Sequence, residues 1–180
     1  MDNLYRRYLK LLDVKFGRQD MATLRRIFRA QVNRIPFENL SKVYYKSQQG
    51  RMTIPDFAQF LDGIERFHFG GTCYSNNYYL YLLLDYLGYD IRLCGADMSE
   101  PDGHMVSIAT FEGREYLLDV GYAAPFLEPL PRDLDQPYEI VSGTNRYVLQ
   151  PQDANGNSHL QLIQNEIEIH GYSQTNDQIH

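Results

Sequence analysis

Phe69-Gly70-Gly71-Thr72-Cys73-Tyr74-Ser75-Asn76-Asn77-Tyr78-Tyr79-Leu80-Tyr81-Leu82-Leu83-Leu84-Asp85-Tyr86-Leu87-Gly88 is the stretch on which the fold turns. The paired glycines permit a tight turn, and no Pro or Gly interrupts the run from Tyr74 to Leu87. The pattern predicts a turn followed by a helix with Gly88 just past its C-terminus. Cys73 would then open that helix. There the positive end of the macrodipole favours a thiolate, the reactive form of cysteine. The structural alternative is a small buried residue, a common role for Cys.

Upstream of this stretch the spacing is helical. Leu4, Tyr8, Leu11 and Leu12 predict one helix, and Leu24, Ile27 and Phe28 predict a second. Gly17 is expected to end the first, and Asp20 or Thr23 to cap the second. Pro36 makes Arg34-Ile35-Pro36-Phe37-Glu38-Asn39-Leu40 begin as a non-helical corner. A short helix is expected over 55–67, capped by Thr53. Downstream of Gly88 strands are expected over 91–98, 104–111 and 115–122, with turns at Pro101-Asp102-Gly103 and Glu112-Gly113. A further pair, around 138–141 and 146–150, flanks Ser142-Gly143-Thr144-Asn145, and 160–169 reads as a last strand. The polar residues 171–180 are expected to fray. The fold class is α+β: a helical part over 1–88, a β-rich part over 89–170 and a polar tail over 171–180.

Composition narrows the functions. The 180 residues are 43% hydrophobic, enough for a substantial core, and carry a formal net charge of -6 with no long Lys/Arg block. That balance argues against nucleic-acid binding. No apolar run reaches the roughly 18 residues of a membrane helix, so no membrane partner is expected. Met1-Asp2-Asn3-Leu4-Tyr5-Arg6-Arg7 has no apolar signal-peptide core, which points to a cytoplasmic protein. Cys73 and Cys94 are the only cysteines and are expected to be free thiols. Without CxxC, HxxH or HExxH patterns, no metal site is expected.

The strands suggest a partner for the thiol. A two-residue loop at Glu112-Gly113 pairs Phe111 with Arg114 and sets Val106 opposite Asp119. His104, Val106 and Ile108 then share a face with Leu117 and Asp119. His104 and Asp119 become diagonal neighbours, about 7 Å apart at the backbone. A one-residue slip would separate them. Asp119 interrupts the apolar run Tyr116-Leu117-Leu118-Asp119-Val120; it must be paired if buried, or else lies on a wet sheet face. Cys73, His104 and Asp119 thus have the residue types of a nucleophile, a base and its orienting acid. His68 is a competing base on the same turn as the thiol, while His159, His170 and His180 are expected to face solvent and Cys94 to pack in the core.

These residues resemble the arylamine N-acetyltransferase family. Arg34-Ile35-Pro36-Phe37-Glu38-Asn39-Leu40 is similar to its IPFENL segment, and Gly70-Gly71-Thr72-Cys73-Tyr74-Ser75-Asn76-Asn77 to its GGxC(F/Y)ExN motif. His104 matches the family's isolated His, and Tyr116-Leu117-Leu118-Asp119-Val120-Gly121-Tyr122 its (L/V)DVGF segment. Glu128-Pro129-Leu130-Pro131 resembles the family's next segment, C-terminal to the (L/V)DVGF motif. The resemblance implies a helical bundle followed by an antiparallel β-barrel-like domain, with a cysteine-proteinase-like catalytic core. It also implies a ping-pong reaction in which Cys73 is acetylated by acetyl-CoA, as co-substrate, and then deacetylated by an arylamine or hydrazine. His104 would move protons and Asp119 would orient it. Phe37, Gly121 and Tyr122 would line the acceptor pocket, for which ordinary core packing is the alternative.

Departures qualify the resemblance. Phe69 replaces the family's Arg before the glycine pair, so Glu38 must find another partner, such as Arg34 or Arg66. Ser75 replaces an acidic residue, and Ala123 a second glycine, which would stiffen that loop. The chain reads as a shortened member that stops before a C-terminal lid domain. The apolar surface of an unlidded domain points to a homodimer as one option. Two other functions remain open. One is a related thiol acyltransferase or hydrolase with another acyl donor, since an open acyl-enzyme meets water. The other is a non-catalytic relative that only binds an aromatic ligand or a partner chain.

Overall fold

The computed structural model describes residues 3–50, 54–101, 103–122 and 124–179. Thr53, Ala123 and His180, and the central residue of the turn at Asp102, lie outside the described residues. Five helices come first: α1 (Asn3–Leu12), α2 (Met21–Arg34), α3 (Leu40–Gln49), α4 (Phe57–Phe67) and α5 (Cys73–Tyr86). Strands follow: β1 (Asp90–Asp97), β2 (His104–Phe111), β3 (Arg114–Leu118), β4 (Leu130–Pro131), β5 (Tyr138–Ser142), β6 (Asn145–Leu149), β7 (Ser158–Gln164) and β8 (Ile167–Gln178). This is the expected α+β order.

Local chemistry explains the helix ends. α1 stops at Leu12, short of Gly17, because Asp13 adopts a left-handed conformation (φ 57°) that turns the chain out. Asp20 caps α2 by accepting from the Thr23 amide at 2.7 Å. Asp56 and Gln59 form a capping box on α4, with bonds of 2.8 and 3.2 Å. α3 was not expected. Its start is stabilised from outside, by the Glu38 carboxylate accepting the Ser41 amide at 2.9 Å. The helices bury Tyr8, Leu24, Ile27, Phe28, Phe60, Leu61, Leu80 and Leu83 together, each at most 2% exposed. Burial of each large apolar side chain contributes about 1.5–3 kcal/mol. Tyr8 keeps its hydroxyl satisfied on Gln31 at 2.7 Å.

All eight strands form one antiparallel sheet in the order β4-β3-β2-β1-β8-β7-β6-β5. Phe111 pairs with Arg114 across a two-residue loop whose residues, Glu112 and Gly113, both have positive φ (52° and 76°). That geometry suits the right-handed twist of a hairpin. Phe126, from the β3–β4 connection, packs edge-on to Tyr147 of β6 at 5.4 Å. This contact draws the two ends of the sheet toward each other, giving a nearly closed barrel-like form. Paired residues point to the same face. Cys94, Ala96, His104, Val106, Ile108, Leu117, Leu160 and Tyr172 therefore share the inner face. α5 packs against β1 and β2, so β2 is buried along most of its length.

Two expectations are corrected. Residues 160–169 are not one strand: Asn165 and Glu166 (φ 50° and 62°) form a tight turn between β7 and β8. Residues 171–178 do not fray. They continue β8, which pairs with β7 on one side and β1 on the other. Polar residues hold there because a central strand has backbone partners on both edges, and the Ile179 amide still donates to Leu93 O at 2.8 Å.

Candidate active site

The glycine turn is shaped by a close crossing. Phe37 and Gly71 form a parallel bridge, with Glu38 N donating to Gly71 O at 3.0 Å and Gly71 N to Pro36 O at 3.3 Å. A Cβ on Gly70 would stand 1.9 Å from Pro36 O, so only glycine fits. Glu38 finds neither Arg34 nor Arg66. Its carboxylate accepts the amides of Gly70 (3.0 Å) and Ser41 (2.9 Å), while Arg34 pairs with Asp13 at 2.9 Å. Phe69 fits without an ion partner because it packs among the rings of Tyr44, Tyr45 and Phe67. This seam fixes the start of α5, and with it the half-buried thiol of Cys73.

His104 begins β2 and is 2% exposed. Its Nε2 meets Asp119 Oδ2 at 2.8 Å, and the Cys73 side chain lies close enough to help raise the ring's pKa. With Nε2 engaged by the acid, Nδ1 is the ring nitrogen left for the sulfur. β3 ends at Leu118, so Asp119 sits just past the strand rather than within it, on the side that the β2–β3 register dictates. Its side chain is fully buried and satisfied by four donors. Oδ1 accepts from Asn77 Nδ2 (3.1 Å) and the Gly121 amide (2.9 Å); Oδ2 accepts from His104 and the Tyr172 hydroxyl (2.7 Å).

The electrostatics follow from that cage. Burial works against the Asp119 anion, but the charge and hydrogen bond of His104, the Gly121 amide and Tyr172 hold its carboxyl below the usual range. Burial likewise works against the imidazolium. The Asp119 charge and hydrogen bond, then the Cys73 contact, outweigh it and push His104 from 6.5 up to about 10. His104 is therefore cationic at neutral pH. Cys94 differs: it is fully buried, and burial pushes its thiol up.

The structure brings together Cys73, His104, Asp119 and Gly121. A Cβ on Gly121 would come within 2.4 Å of Cys73 Cα and 2.7 Å of Asn77 Nδ2, so that glycine lets the loop close on the nucleophile. The Tyr122 ring lies beside His104, tilted by 58° with ring centroids 6.1 Å apart. Phe37 is 47% exposed and lines a narrow cleft of about 70 Å³ with Val32, Ile35, Asp119, Val120 and Ala124. His68 closes α4 in a left-handed conformation (φ 56°). His170 is exposed and His159 partly exposed, as expected; both also make surface bonds, His159 to Ser173 and Glu168 and His170 to Tyr122.

Three contributors were missed. Asn77 is one helical turn after Cys73 and clamps the site three ways, donating to Met105 O (2.7 Å) and Asp119 and accepting Val120 N (3.0 Å). The i, i+4 spacing from Cys73 was a usable signal. Tyr172 and His170 lie where the sequence offers no apolar alternation. Among the described residues, no group of three His, Cys, Asp or Glu is placed to hold a metal ion, and no helix is long and apolar enough to cross a membrane.

A thiol at a helix N-terminus, beside a histidine held by a buried carboxylate on an adjoining barrel-like sheet, is the layout of a cysteine-proteinase-like α+β core. A family model for N-acetyltransferases matches residues 20–177. The chain belongs to the arylamine N-acetyltransferase family. An arylamine N-acetyltransferase of the pineal gland of Gallus gallus is 30% identical over 139 residues, 73% of this chain and 44% of that protein. Arylamine N-acetyltransferase 1 of Oryctolagus cuniculus is 29% identical over 135 residues, 71% and 43% respectively. The chain thus spans less than half the length of these relatives. Among solved structures, the arylamine N-acetyltransferase of Salmonella typhimurium superposes with a TM-score of 0.79 at 20% identity, covering 100% of this chain and 66% of that one. The enzyme of Bacillus cereus, described as having a Cys-His-Glu catalytic triad, gives 0.76 at 20% identity, covering 100% and 72%.

Proposed function

We propose that this chain transfers an acetyl group from acetyl-CoA to aromatic amines or hydrazines through an acetyl-Cys73 intermediate. The observation that carries this reading is geometric: His104 is bonded to a buried, fully satisfied Asp119, and the loop after that acid closes on Cys73 at the start of α5. A resting imidazolium is the partner that a thiolate nucleophile needs. Cys73 Sγ attacks the thioester carbonyl, and His104 gives its proton to the departing CoA sulfur. Thiolate displaces thiolate, so the step is close to balanced. The amine then attacks acetyl-Cys73, the neutral His104 takes its proton, and the thiolate–imidazolium pair is restored. Asp119 keeps the ring in one tautomer and orientation. Gly121, against Cys73, and Tyr122, beside His104, would wall the acceptor side, with Phe37 lining the small cleft that also reaches Asp119. The reduced thiols and the acyl-CoA donor fit a cytoplasmic enzyme.

Intact-mass spectrometry after exposure to acetyl-CoA tests the reading. The protein should gain one acetyl group, lose it on addition of an aromatic amine, and gain nothing as Cys73→Ala. Acetate release without amine would make it a hydrolase, and no mass gain would leave only a binding role.

A further inference from the structure

The Tyr122 side chain makes a contact that acetyl transfer at Cys73 does not use. Its ring lies beside His104, with centroids 6.1 Å apart, and edge-on to Tyr172 at 5.1 Å. It also stacks on Phe126 at 6.3 Å, nearly parallel at 14°. Its hydroxyl meets His170 Nδ1 at 2.6 Å. His170 stands on β8 opposite Leu162, with its side chain exposed at the rim. One bond therefore ties the loop that carries Asp119 and Gly121 to a strand on the far side of β1. Burial, then the Asp119 charge, pushes the Tyr122 hydroxyl up to about 12, so the phenol stays protonated in this bond. A phenylalanine would supply the same ring without this tether.

We propose that His170 is a positioning residue for acceptor specificity: by bonding the Tyr122 hydroxyl it fixes that ring as an apolar wall beside His104 and keeps its polar end away from the bound amine. The inference rests on the reading of Tyr122 as part of the acceptor cleft. Without the bond the ring gains freedom, and the hydroxyl turns toward a flat apolar ligand that cannot satisfy it. An unsatisfied hydroxyl next to a bound ring weakens binding.

The test uses the full chain with acetyl-CoA and p-toluidine, and calorimetric binding of p-toluidine to Cys73→Ser with and without the second substitution. His170→Ala should raise the amine KM, and the Kd in the Cys73→Ser background, by about threefold to tenfold, the range that one net hydrogen bond supports. The value of kcat should move far less than KM. His170→Asn, whose side-chain oxygen can stand near the Nδ1 position, should restore both constants. In the Tyr122→Phe background, which has no hydroxyl to release, His170→Ala should add nothing further. An unchanged KM and Kd in His170→Ala, additive effects in the double variant, or no toluidine binding to Cys73→Ser would each overturn the proposal. Failure of the wild type to form acetyl-Cys73 would sink the acetyl-transfer reading instead, and the binding comparison would still decide the role of His170.

Discussion

Asp119→Asn removes the charge at the centre of the site while keeping its shape. An amide has one acceptor oxygen and one donor nitrogen. In one orientation the new NH2 faces the Asn77 and Gly121 N–H groups. Asn77 cannot flip to help, because its amide is already committed to Met105 O at 2.7 Å and Val120 N at 3.0 Å. The other orientation is cheaper. There the NH2 faces Tyr172 and His104; the Tyr172 hydroxyl rotates to accept, and His104 accepts at Nε2 by taking the opposite tautomer. That tautomer puts a proton on Nδ1 and makes the ring neutral. The rise of His104 to about 10 corresponds to about 5 kcal/mol of preference for the imidazolium, led by Asp119. Most of that preference should vanish in the variant. Breaking a buried charge pair costs about 3–5 kcal/mol, softened here by the two rearrangements to about 2–3 kcal/mol. At about 2–4 °C per kcal/mol, the melting temperature should fall by about 5–10 °C. The acylation rate should fall by a factor on the order of 10⁴, the scale of a wrong-tautomer triad. Calorimetric melting and stopped-flow acylation by acetyl-CoA measure the two effects. A variant that melts with the wild type and acylates at its rate would refute the assigned role of Asp119.

Other outcomes rest on the same geometry. His104 rises from 6.5 to about 10 on folding, so its stabilisation is complete below the lower value and is lost as pH climbs through the upper one. The melting temperature should therefore decline over that window, and the decline should shrink in His104→Gln. Gly121→Ala should slow acylation by about a hundredfold with a modest loss of stability, because its Cβ would sit 2.4 Å from Cys73 Cα and force the nucleophile aside; retention of full rate would show that the loop can yield. Iodoacetamide at neutral pH should label Cys73 and spare Cys94, which is fully buried. Peptide mapping reads the ratio, and similar rates would argue against an activated thiol.

The parts legible in the sequence were those set by local rules. Gly70, Gly71 and Gly88 bracket α5, and Glu112-Gly113 fixed the β2–β3 register that brings His104 and Asp119 together. What escaped was set by distant partners. α3 starts where the Glu38 carboxylate happens to reach the Ser41 amide, which no spacing announces. β8 is polar along much of its length and is held by backbone pairing to β1 and β7. Its mixed composition reads as a tail, which hides the roles of Tyr172 and His170. The turn at Asn165-Glu166 went unread because Glu166 is an unusual residue at positive φ (62°).

The position of β8 has a consequence for synthesis. It leaves the ribosome after the other seven strands, yet lies between β1 and β7. Until translation passes Gln178, the nascent chain carries two partial sheets, each with an unsatisfied border that invites pairing with a neighbour. Stalling upstream of this segment would leave an aggregation-prone product in which Asp119 has also lost one of its four donors. Chaperone demand should therefore be greatest in the interval after β7 has emerged and before β8 has.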